Sequence, residues 1–97
     1  MYKIKEVWRV MGEKEHHESD HKTLKEVKKY IQDWVSSWKE SAAENEYKIE
    51  SVKTDELSFA RIVINKNTNY VFQKGYEWLE TPASHKKDIF NLKVIKV

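Results

Sequence analysis

Cysteine is absent from the 97-residue chain, proline occurs once and glycine twice. The first absence excludes disulfides, thiolate catalysis, cysteine-type zinc sites and iron–sulfur clusters. Small secreted domains of this size often depend on disulfides, so it also points to a reducing cytoplasm as the compartment. So little glycine leaves no phosphate-cradling loop and little to shape an active-site loop. No apolar run is long enough to span a bilayer, and Met1-Tyr2-Lys3-Ile4-Lys5-Glu6 at the start carries charge every other residue where a signal peptide would be apolar. Neither sign of charge prevails: Lys plus Arg number 18 and Asp plus Glu 16, a net charge of +2. No global field therefore calls for a nucleic acid or a membrane, and a charge-based function must be local.

What the chain does have is aromatic area, with four Trp among a 12% aromatic content. Such side chains offset chain entropy and argue against disorder, while the length fits one domain, residues 1–97. The clearest pattern lies between Thr23 and Asn45, where Leu24, Val27, Ile31, Trp34, Val35, Trp38 and Ala42 recur three and four residues apart. At about 100° per residue these positions form one dry stripe opposite Lys25, Glu26, Lys29, Asp33, Ser36 and Glu40, which predicts an amphipathic helix. Thr23 followed by Glu26 fits a capping box at its start, and Asn45 is the candidate left-handed residue at its end. Trp34 and Trp38 share the stripe with aliphatic residues and read as core, against the alternatives of a base-stacking ladder or a small-ligand pocket between helix and sheet.

The other segments alternate as strands do. Tyr2 to Met11 places Tyr2, Ile4, Trp8 and Val10 on one face, with Glu6 intruding on the apolar side; a bulge or an edge position is the expectation there, with a buried catalytic carboxylate as the sharper alternative. Gly12 to His21 reads as a polar connection. Its His17 and His21, spaced i, i+4, with Glu13 or Asp20 raise a metal site, but the segment lacks apolar support to hold ligands, so no metal and no cofactor is expected. Glu46–Lys53 is the second strand. Leu57–Ile64, apolar on both faces, is expected to be central and covered twice. A loop at 65–69 then leads to a strand over Tyr70–Leu79, with Ile64 opposite Tyr70 and Phe59 opposite Gly75. Ile89–Val97 is the last strand, its Lys93 and Lys96 suiting an edge.

The fold class implied is α+β: one long helix packed across a four- to five-stranded antiparallel sheet in β-α-β-β-β-β order. That order over about a hundred residues resembles the cystatin-like architecture, a sheet wrapped on one helix. The resemblance is to the architecture alone. The Q-x-V-x-G hairpin with which cystatins enter cysteine-protease clefts is not matched by Gln73-Lys74-Gly75, and the single Pro82 precedes Ala83 where their second hairpin has Pro-Trp. Function is not implied by architecture.

No grouping of nucleophile, base and orienting residue can be named, so a non-enzymatic role is expected. A helix covers one side of a sheet, and on the register above Val7, Val52, Leu57, Phe59, Arg61, Val63 and Val71 gather on the other. The expected function is a protein-binding module, an inhibitor or accessory protein, acting through that face on a foreign partner or as a homodimer. Two alternatives stand beside it: nucleic-acid binding by Lys3, Lys5 and Arg9 on the first strand or by His21, Lys22 and Lys25 at the helix start, and capture of an anion or small ligand at the helix N-terminus. The bias to Lys, Glu, Asn and Ile in a short chain fits the profile of small phage or mobile-element accessory proteins. No membrane partner is expected.

Overall fold

The computed structural model describes residues 1–55, 57–66, 71–80 and 86–97, with the backbone alone for 71–74 and 77–80. Two antiparallel strands, β1 (Tyr2–Val10) and β2 (Glu13–His21), precede the helix α1 (Leu24–Glu44), which is followed by β3 (Lys48–Asp55), β4 (Phe59–Asn65), β5 (Val71–Lys74), β6 (Glu77–Glu80) and β7 (Lys87–Lys96). Five strands form one sheet in the order β2-β1-β7-β4-β3, and β5 and β6 form a separate two-stranded ribbon. The α+β class and the helix across an antiparallel sheet are as the sequence implies. The order differs, because a second strand stands before the helix.

That strand is the segment read as a polar connection. Val10 pairs with Glu13, so Met11 and Gly12 make a two-residue turn in which both residues have positive φ, 51° and 79°. This is the primed turn whose twist matches antiparallel strands. β2 is an edge strand without one aliphatic residue, so alternation of hydrophobicity is silent along it. Its extended backbone also disposes of the helical metal reading, since His17 and His21 lie about 13 Å apart along a strand. Among the described residues no group of His, Asp and Glu is placed to hold a metal.

Helix α1 starts as expected: Thr23 Oγ1 accepts from the Glu26 amide at 3.2 Å, and Glu26 Oε2 accepts from the Lys22 amide at 2.8 Å. It ends one residue later than expected. Asn45 has φ −94°, and Glu46 takes the left-handed conformation at φ 59°. The Tyr47 amide reaches Ala42 O at 2.8 Å and the Glu46 amide reaches Ala43 O at 3.2 Å, the paired bonds of a Schellman ending. Val27, Ile31, Trp34 and Ala42 are buried, whereas Leu24, in the first turn, is 44% exposed.

The core lies between α1 and one sheet face: Ile4, Ala60, Ile62, Ile64, Phe90 and Leu92 meet the helix, and Trp38 stacks on Phe90 with ring centroids 3.7 Å apart. Three placements differ from the sequence reading. β7 is the central strand, not an edge; Lys93 lies on the face that no helix covers, and Lys96, opposite Tyr2, is on the other face at the strand's end. β4 is paired on both sides, with β3 and β7, so neither of its edges is free for the strand that follows. The segment read as one strand from Tyr70 to Leu79 is instead the β5–β6 hairpin, folded at Gly75 (φ 66°) and Tyr76, with Lys74 opposite Glu77. The expected pairing of Ile64 with Tyr70 falls on residue 70, outside the described residues, and Phe59 faces Asp55 and Lys93, not Gly75. On its second face β4 is covered unevenly, with Phe59 45% exposed and Val63 7%.

Candidate functional site

Residues paired directly across neighbouring strands share a face, so the ladder defines what the uncovered side presents. One row runs Glu18, Lys5, Lys93, Phe59, Asp55. The next runs His16, Val7, Asn91, Arg61, Lys53, and a third Lys14, Arg9, Ile89, Val63, Ser51. Lys3 and Asp20 begin a fourth, beside Ile95. Cations therefore crowd this side of a chain whose overall charge is +2.

The acids present are few and partly engaged. Glu18 bridges Lys3 at 3.8 Å and Lys5 at 3.7 Å, and Glu50 bridges Lys87 at 2.8 Å; that hydrogen bond from Lys87 holds the Glu50 carboxyl below the usual carboxylate range. Arg9, Lys53, Arg61 and Lys93 are exposed and make no ion pair with any described residue. In the middle of the face lies an open depression of about 670 Å³, walled by Lys5, Lys53, Arg61, Lys93, Val7 and Phe59.

The residues singled out for partner binding divide accordingly. Val7, Phe59 and Arg61 stand on the uncovered face as expected. Val63 shares the face but is only 7% exposed. Val52 is on the opposite side, packed against the helix-side core. The reason is a register shift between Ile49 and Ser51, which pairs Ile49 with Ile64 and Val52 with Ile62, so that both turn inward where strict alternation would separate them. Leu57 lies in the turn before β4, 46% exposed, its amide on Asp55 Oδ1 at 3.0 Å. Val71 belongs to the β5 ribbon, outside the five-stranded sheet, and its side chain is outside the described residues. The apolar part of the face is thus smaller, and the cationic part larger, than the sequence pattern implies. Lys53 is not singled out by the sequence and Lys93 reads there as an edge lysine, because the bulge and the central place of β7 are non-local facts.

The two cationic groups named for nucleic acid or anions do not form one surface. Lys3, Lys5 and Arg9 are on the uncovered face; His21 is on the helix side of β2, its ring 4.9 Å from that of Tyr30. Lys22 and Lys25 flank a helix start at which Thr23 Oγ1 already accepts from the Glu26 amide and the Glu26 carboxylate from the Lys22 amide.

Glu6 is the second polar feature. It is 4% exposed on the helix side, and β1 pairs through it without a bulge and from an interior position. Its carboxylate accepts from Trp8 Nε1 at 3.1 Å, from Trp34 Nε1 and from the Tyr30 hydroxyl. Burial first, then the hydrogen bond to and the charge of Glu6, push the Tyr30 phenol up to about 12, with Ser19 pulling the other way. Two indoles and a phenol fix this carboxylate as an internal anchor. Trp34 and Trp38 are likewise engaged in the core, and the groove of about 290 Å³ beside them, lined by Tyr30, Asp33, Trp34, Ser37 and Trp38, opens along the helix flank. Among the described residues no helix is long and apolar enough to cross a membrane. No family model, curated protein or solved structure matches the chain.

Proposed function

We propose that this protein is a small binding module, not an enzyme, and that it takes an acidic macromolecular partner on the sheet face opposite the helix. The observation that carries the reading is the set of exposed cations Arg9, Lys53, Arg61 and Lys93, which make no ion pair with any described residue, gathered on one face around Val7 and Phe59. Cations with no internal partner raise the local potential over a low-dielectric surface and draw in a complementary anion. A non-catalytic role is supported by Glu6, the buried carboxylate, whose oxygens are occupied by donors that hold it in place.

Charge-reversing pairs on the two sides test the reading at equal net charge. Lys53→Glu with Arg61→Glu alters the uncovered face, and Lys25→Glu with Lys29→Glu alters the outer side of α1. On immobilised heparin the first pair is expected to elute at much lower salt than the second. Equal shifts for the two pairs would show that net charge alone governs retention and would remove the face as a site.

A further inference from the structure

Phe59, the first residue of β4, is 45% exposed on the uncovered face, where Lys93 stands directly across from it on β7 and Lys5 one strand further. Arg61 projects from the same side of β4, two residues along. With strands about 4.8 Å apart and about 6.7 Å between same-face residues, all three charged groups lie within side-chain reach of anything resting on the ring. They wall the same open depression of about 670 Å³. Lysine is depleted at protein–protein interfaces while aromatic residues and arginine are enriched there, so it is Lys5 and Lys93 beside the ring that fit a protein surface poorly. A ring ringed by cations is the arrangement that holds an unpaired base by stacking while its flanking phosphates are neutralised. A duplex would leave the ring unused, since its bases are closed within the stack and a flat sheet meets only the backbone.

We propose that the partner is single-stranded nucleic acid, with one base stacked on Phe59 and adjacent phosphates held by Lys5, Arg61 and Lys93. The inference rests on the reading of this face as the binding surface, and goes beyond it in naming the partner.

The test uses the full chain and fluorescently labelled 12-mers of deoxythymidine and of uridine, a duplex of equal length, and polyglutamate as competitor. Three phosphate contacts predict that affinity for the single strands falls about 20-fold between 50 and 200 mM salt. Phe59→Ala should weaken binding about 10-fold or more with little change in that salt slope, because it removes stacking and no charge. Arg61→Gln should flatten the slope, while Lys25→Gln should do neither. Phe59 and Arg61 are both exposed, and the near-ultraviolet circular dichroism of the Trp8–Trp38 pair reports whether either variant has disturbed the core. Binding of either strand above the duplex supports the proposal, and the tighter of the two identifies the sugar. Tighter duplex binding overturns it. If polyglutamate competes as well as the oligonucleotides and Phe59→Ala changes nothing, the partner is an acidic protein; the inference then fails while the binding face stands. If no polyanion binds at 50 mM salt, both readings fall.

Discussion

Glu6 carries a carboxylate into the core because alternation along β1 leaves it no other side, and three aromatic donors meet it there. The sequence places Glu6 in step with Ile4 and Trp8, but the expectation it supports there is a bulge or an edge, and β1 has neither at this position. Nor could the sequence show the meeting with those donors, because Tyr30 and Trp34 are 24 and 28 residues away. Removing the acceptor strands all three donors, and buried unpaired donors cost about 1–3 kcal/mol each before water enters to relieve them. Glu6→Ala is therefore expected to destabilise the fold by about 3 kcal/mol, and Glu6→Gln, which keeps one acceptor oxygen, by about half that. Urea unfolding followed by tryptophan fluorescence measures both. Tyr30 adds a pH dependence. Its phenol binds its proton more tightly folded, with a pKa near 12, than unfolded, near 10.0, so its contribution is complete below pH 10 and declines as pH rises from there toward 12. Tyr30→Phe should lower stability at neutral pH, through the lost hydrogen bond to Glu6, and remove this share of the alkaline decline.

At the level of elements, two left-handed residues are held by chemistry that disfavours them. Glu46 ends α1 at φ 59° and Met11 begins the β1–β2 turn at φ 51°, positions where Gly and Asn are preferred. Glu46→Gly and Met11→Asn are each expected to raise stability by about 0.5 kcal/mol, the relief of strain outweighing the entropy that the glycine adds to the unfolded chain. A higher midpoint in thermal unfolding would show it. The same two positions mark where local reading stopped. Helix α1 was legible from its N-cap to its last turn, because its stripe and the Thr23–Glu26 pair are written within a few residues of one another, but its left-handed ending was not. The first hairpin was not, since Met11 hides the turn signal that Asn-Gly would give and β2 has no dry face to alternate. Gly75 did carry a signal, a glycine at the first position of a two-residue turn, within a run that otherwise reads as one strand. The inward turn of Val52 depends on a bulge specified by pairing with β4, which no single-strand pattern encodes.

For the molecule as a whole, the near-neutral sum of charge conceals an uneven distribution. Lys5, which Glu18 bridges, and Lys93 lie directly across from one another on adjacent strands, and Arg9, Lys53 and Arg61 share their face without an ion pair to any described residue. Like charges directly opposite in a sheet destabilise it, by up to about 1 kcal/mol for such a pair. A partner's phosphates or carboxylates would relieve that repulsion, and so would salt, which screens exposed charges over about 10 Å at 0.1 M. Lys93→Thr removes one half of the pair and places a good strand former on the central strand. Its melting temperature at low salt should rise by about 2–4 °C over the parent, as expected for about 0.5 kcal/mol in a domain of this size. The gain should shrink at 0.3 M salt, where the parent is itself relieved. The same substitution should weaken retention on heparin, so that stability and binding move in opposite directions. If Lys93→Thr instead lowered the melting temperature at every salt concentration, the lysine would contribute to the fold by packing its stem, and the uncovered face would be bearing no electrostatic strain for a partner to release.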